Sequence, residues 1–204
     1  MTEPIVNILW CHSPDLPGAR SGPHGWNERT LAKDINWAMF ERLSMNKISA
    51  RMLEQDTLIR RIAYLKKHAK DSPNQIAIEV HFDSNPHRDC ERGFSTLYYA
   101  GSPYGARLAK CVHESIAWCR RDAPDRGLCA CKGELRNVGT PNQYPLQRLA
   151  LLEDVPQWSV IPEVAFISSP EDTKWASKFE SRRACGYAIA TGIMEFLDTL
   201  TLEV

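Results

Sequence analysis

The chain has 204 residues, 43% of them hydrophobic, and its 25 Lys and Arg balance its 25 Asp and Glu to a formal net charge of zero. That size predicts a single domain over 1–204 with a substantial core and no room for a second full one. A neutral chain lacks the basic excess that tracks nucleic acid or an acidic membrane surface, so neither is expected as a partner.

The first residues, Met1 to Asn7, carry Glu3 and lack a basic stretch followed by an apolar one. No secretory signal is therefore expected, and synthesis is expected in the cytoplasm. No window of the chain is apolar enough for a membrane span. Ile5 to Trp10 (IVNILW) reads as a strand, followed by a loop rich in Pro, Gly and Ser. Asn27 then caps a helix running to about Ser44, with Leu31, Ile35, Ala38, Met39 and Leu43 at helical spacing.

Ile48 to Leu53 reads as a second strand, and Asp56 or Thr57 caps a second helix with Leu58, Ile62, Leu65 and Ala69 on one face. Gln75 to Phe82 (QIAIEVHF) is expected as one central strand and Gly93 to Ala100 as another. Pro103 opens a third helix that buries Ala109, Val112, Ile116 and Cys119; Asp122 to Tyr144 reads as the longest irregular stretch. Leu149 to Leu152 is a short apolar run. Trp158 to Ile167 is the last strand, where Pro162 argues against full pairing. Pro170 begins a short helix, and Ser181 to Leu200 a long one with Ala184, Tyr187, Thr191, Met194 and Leu197 facing inward.

Strands alternating with helices predict an α/β fold: a three-layer domain with a mostly parallel twisted sheet flanked by helices. Seven cysteines, an odd number with no CxxC pair, read as reduced, buried thiols.

The chemistry gathers at the strand ends. His12 follows the first strand, His81 and Glu163 lie near the ends of the third and last, and Glu28 opens the first helix. Open α/β sheets bind ligands outside the carboxyl ends of their strands. Two imidazoles and a carboxylate form the His₂Glu set of hydrolytic zinc, which keeps one position open. A further carboxylate, Glu163, then suits the general acid/base.

Each residue also has a plainer role. A histidine at a strand end can be a hydrogen-bonded structural residue, Glu28 a partner of the helix dipole, and Glu163 a buried ion pair with Arg61 or Arg136. His24 and His87 lie in loops near the same edge. His68 and His113 sit on helices as surface or packing residues.

At these residues the sequence resembles the type 3 zinc-dependent N-acetylmuramoyl-L-alanine amidases, cell-wall hydrolases that include phage endolysin catalytic domains. The matching runs are WCHSPDLPGARSGPHGWNERTLA with His12 and Glu28, ARMLEQDTLIRRIA with Asp56, Leu58 and Arg61, EVHFDS with His81 against the family's Ser-x-His-x-Asn-Ala, GFSTLYYAGS, and PEVAFISSPED with Glu163. Leu9, Trp10 and Cys11 replace the family's Asp-Pro-Gly, Ser13 its Gly after the first His, Asp83 its Asn and Ala165 its Gly.

The resemblance implies Zn²⁺ on His12, Glu28 and His81, acid/base work at Glu163, and cleavage of the amide between N-acetylmuramic acid and L-alanine in peptidoglycan. Lys132, Arg136 and Asn142 are candidates to meet stem-peptide carboxylates. Another small amide or N-acyl amino acid is the alternative substrate, and a catalytically silent binding module the third class. A chain of this kind acts on the wall after export or lysis.

Overall fold

The computed structural model describes residues 4–21, 25–54, 57–69, 74–85, 91–131, 150–155 and 158–201. Its strands are β1 (Ile5–Leu9), β2 (Ala50–Leu53), β3 (Gln75–Glu79), β4 (His81–Asp83), β5 (Phe94–Tyr99), β6 (Asp125–Cys131) and β7 (Ser159–Phe166). Its helices are α1 (Glu28–Met45), α2 (Leu58–His68), α3 (Pro103–Cys119), α4 (Ala150–Asp154), α5 (Pro170–Ala176) and α6 (Phe179–Thr201). The strands form one sheet in the order β2-β1-β3-β7-β5-β6, with β4 also paired to β7. Every pairing is parallel except β5 with β7, so the mostly parallel sheet expected from the βα alternation is present.

Strand alternation sends side chains to two cores, which makes the three layers. Val6, Ile8, Ile76, Ile78, Val160 and Val164 pack on one face against Leu31, Ile35 and Met39 of α1, Val112 and Ile116 of α3, and Ile189, Ile193 and Phe196 of α6. Leu9, Ala77, Leu97 and Ile161 pack on the other face with Leu65 of α2 and Leu151 and Leu152 of α4. Each of these Val, Leu, Ile, Met and Phe side chains taken fully from water contributes about 1.5–3 kcal/mol. No helix among the described residues is long and apolar enough to cross a membrane.

Local chemistry sets the helix starts. Asn27 accepts from the Thr30 amide at 2.9 Å, Thr57 from Arg60 at 3.3 Å and Ser102 from Gly105 at 2.8 Å, just before Pro103, each satisfying an amide with no partner inside the helix. Of the two caps expected for α2, Thr57 is the one observed; Asp56 lies outside the described residues.

Four expectations are corrected. The strand expected over Gln75 to Phe82 breaks at Val80 into β3 and β4. The break suits Pro162: β7 pairs with β3 at Ser159 and Val160 and with β4 from Glu163, so on that side the register passes over Ile161 and Pro162. A proline without an N–H thus occupies a central strand at the step where one neighbour gives way to the next. The stretch expected to be irregular from Asp122 contains β6, an edge strand holding Gly127 at φ +79° and a register shift against β5; edge strands tolerate such irregularities.

The inward stripe of α6 is Arg182, Cys185, Gly186, Ile189, Ala190, Gly192, Ile193 and Phe196. Ala184 is exposed, and Tyr187, Thr191, Met194 and Leu197 are only partly buried. Gly186 explains the rotation: a Cβ there would lie 2.3 Å from the Ile35 carbonyl, so small residues face α1 at closest approach. The Tyr187 hydroxyl instead reaches Glu41 at 2.9 Å. On α2, Ala69 is likewise exposed and the buried charged residue Arg61 takes an inward position.

Candidate metal centre

His12, Glu28 and His81 are distant in sequence and adjacent in space. One donor atom from each lies within 4.8 Å of the other two, the candidate metal-holding group among the described residues. Three elements deliver them: the loop after β1, the first position of α1, and the start of β4. Glu28 Oε2 lies 3.0 Å from His12 Nε2 and 3.2 Å from His81 Nδ1. The edge of a tetrahedron with metal–ligand bonds of ~2.0–2.1 Å is roughly 3.3 Å, so Glu28 Oε2 stands from each imidazole at the separation of two zinc ligands, and the donor set suits zinc in kind. The resemblance seen in the sequence implies such a metal, and the residues present suit it.

The backbone around these donors is tightly specified. His12 adopts φ +59°, in the left-handed region that side chains rarely occupy. Its carbonyl accepts from Arg29 Nη1 at 3.0 Å and Arg61 Nη2 at 3.2 Å, and the Arg29 guanidinium lies over the Trp10 ring at 4.6 Å. Gly18, at φ +85°, passes so close that a Cβ would sit 2.5 Å from the His12 ring and 2.8 Å from Glu28 Oε1. Glu28 Oε1 accepts from the Ala19 amide at 2.8 Å, and Oε2 also faces the Phe82 amide at 3.3 Å. These contacts aim the carboxylate between the imidazoles.

The electrostatics follow from the contacts. Burial opposes ionisation of Glu28, but hydrogen bonds from His12 and His81 outweigh it and bring its pKa down to about 2. Burial likewise opposes charge on His81, yet the hydrogen bond to Glu28 and the Glu79 carboxylate 3.7 Å away hold its pKa well above the ordinary imidazole value. Cys11, buried beside them, is pushed up to about 12 by desolvation. At neutral pH this burial keeps it a thiol.

Glu163 stands one rung across from His81, paired to it in register between β7 and β4. Its Oε2 is buried with no hydrogen-bond partner among the described residues. Desolvation, then the nearby Asp83 carboxylate, lifts its pKa well above the ordinary carboxylate range despite the opposing pull of His81. Asp83 is itself raised by desolvation, against the hydrogen bond it accepts from the Ser84 amide. Arg61, weighed from sequence as an ion-pair partner for Glu163, faces Glu79 at 3.8 Å instead.

The site also holds residues that sequence reasoning did not single out, Glu79 and Arg29. The signal for Glu79 is its position two before His81, which alternation carries to the same side of the sheet. Lys132, Arg136 and Asn142, with His24 and His87, lie outside the described residues. His113 is a buried packing residue, its ring nitrogens 3.2 Å from Thr96 Oγ1 and 2.8 Å from Asp125 Oδ1.

Comparison with known proteins gives the family and the fold. The family model described as N-acetylmuramoyl-L-alanine amidase matches residues 6–195. No curated protein matches the chain. Among solved structures, the chain is similar to N-acetylmuramoyl-L-alanine amidase AmiC2 of Nostoc punctiforme, at 20% identity over 95% of this chain and 97% of that one with a TM-score of 0.77. It is similar to the N-acetylmuramoyl-L-alanine amidase of Clostridium difficile 630, at 16% identity over 98% and 99% with a TM-score of 0.78. The catalytic domain of CD27L, an endolysin targeting Clostridia difficile, gives 16% identity over 95% and 97% with a TM-score of 0.68. The family model spans nearly the whole chain, and the chain belongs to the N-acetylmuramoyl-L-alanine amidases, amidohydrolases of peptidoglycan.

Proposed function

We propose that this amidohydrolase cleaves the bond between N-acetylmuramic acid and L-alanine with a zinc ion held by His12, Glu28 and His81, and with Glu163 as general acid/base. The observation that carries the reading is the convergence of those three donors within 4.8 Å, with Glu163 one rung from His81. When bound, zinc supplies Lewis acidity, polarising the scissile carbonyl and making a water nucleophile available near neutral pH.

The protein's own groups do the rest. Glu28 and the two imidazoles would hold the ion and leave one position open for water or substrate. Glu163 takes the proton of the attacking water on a carboxylate oxygen and passes it to the departing amine of L-alanine. Its poorly solvated Oε2 suits a group that must accept and release a proton near neutrality.

Metal analysis of the purified protein, with release of soluble peptide from purified murein before and after chelation and after zinc return, tests this. Zinc near one per chain and activity lost and regained with the ion are expected. Activity unchanged by exhaustive chelation overturns the metal role. Turnover of N-acyl amino acids without murein digestion overturns the substrate.

A further inference from the structure

Beneath the site lies a second buried pair whose position the proposed chemistry does not require. Arg61 from α2 and Glu79 from the end of β3 face each other at 3.8 Å, and both are almost wholly removed from solvent. Replacing such a buried ion pair with apolar side chains is often neutral or stabilising, so its presence is poorly explained by stability. Each member instead reaches one of the two imidazole segments. Arg61 Nη2 donates to the His12 carbonyl at 3.2 Å, and Glu79 Oε1 lies 3.7 Å from His81 Nε2.

His81 thus stands between two carboxylates. Its Nδ1 faces Glu28 Oε2, within the candidate donor group, and its Nε2 faces Glu79. An imidazole that offers one nitrogen to a metal carries its proton on the other, and an outer acceptor fixes that choice. The glutamate carries this acceptor to the same side of the sheet as His81, two residues along the chain. Arg61 offsets the added negative charge and steadies the turn that presents His12.

We infer that the Arg61–Glu79 pair is a positioning element: Glu79 selects the His81 tautomer that presents Nδ1 to the metal, and Arg61 ties that choice to the His12 backbone. The inference rests on the proposed zinc reading. It makes the two histidines a linked unit, so a change at Glu79 is felt at the metal without any loss of a ligand.

The test is zinc affinity by competition with a chromophoric chelator, together with ¹⁵N ring spectra of histidine-labelled, zinc-loaded protein. Wild type is expected to show His81 protonated at Nε2 and bound through Nδ1. Glu79→Gln is expected to weaken zinc about 10-fold and Glu79→Leu about 100-fold, the range seen when outer partners of metal-bound histidines are removed; the leucine variant also loses the single Nε2-protonated signature. Because Glu79→Leu strands Arg61, the double variant Glu79→Leu with Arg61→Met serves as a folded control in which neither charge of this pair remains. It is expected to melt no lower than Glu79→Leu and still bind zinc weakly. Wild-type zinc affinity and ring spectra in both Glu79→Gln and the double variant overturn the inference. Wild type that binds no zinc, or His81→Ala that binds it equally well, sinks the metal reading itself, an outcome distinct from the first.

Discussion

Glu163 in β7 and Asp172 in the first turn of α5 lie nine residues apart, and the folded protein treats their carboxylates in opposite ways. Asp172 is wholly buried with both oxygens engaged. Oδ1 accepts from Arg120 Nη2 at 2.6 Å, and Oδ2 from the amides of Gly93 at 2.8 Å and Phe166 at 2.9 Å. Arg120 in turn stacks on Trp175 at 3.9 Å. Glu163 has a buried oxygen with no partner among the described residues. The first carboxylate is spent on holding β5, β7 and α5 together. The second is held at a cost, and a group kept in that state is available to move a proton.

The sharpest way to break this contrast is Glu163→Gln. Turnover is expected to fall by roughly 10²–10⁴-fold with metal content unchanged. Stability is expected to move the other way. A carboxyl whose folded pKa is raised makes the protein less stable as pH rises above the ordinary carboxylate value, so chelator-treated Glu163→Gln melts higher than wild type at pH 8. A lower melting temperature there means that Glu163 is a structural residue.

Asp172→Ala gives the reverse pattern. Removing one member of a buried pair costs about 3–5 kcal/mol, read as a lower urea midpoint, whereas the fraction that stays folded binds zinc with ordinary affinity. A variant as stable as wild type removes the contrast.

Glu28 lies between these extremes, since it serves both fold and site. Its folded value of about 2 against 4.5 makes its ionised form stabilising by at most about 3 kcal/mol above pH 4.5, a contribution lost as pH falls from 4.5 toward 2. Acid-unfolding curves of chelator-treated wild type and Glu28→Gln are expected to stand apart above pH 4.5 and converge below it. Gly18→Ala is expected to have the smallest effect, roughly 1–2 kcal/mol from the left-handed backbone, with weaker zinc binding from the contact with His12. Unchanged zinc affinity in that variant shows that the loop yields.

The sequence made the architecture and the four proposed site residues legible because their signals are local. Helical spacing in α1, the Asn27 cap and the Pro103 start all act within a few residues, and strand ends locate the active edge of an α/β sheet. What escaped it depends on contacts between distant segments. The break at Val80 is intelligible only beside Pro162, and the true face of α6 only against the Ile35 carbonyl. β6 hid behind Gly127 and a turn-like composition. Glu79 looked like one more charge in a strand until Arg61 arrived from α2.

His12 carries one last consequence. Its imidazole is presented from a backbone geometry that asparagine or glycine adopts more readily, held there by two guanidiniums on its carbonyl. Replacing His12 by glycine therefore relieves the backbone but takes from the buried Glu28 carboxylate a partner 3.0 Å away, so the imidazole is retained in this geometry by its neighbour as well as by any role toward a metal.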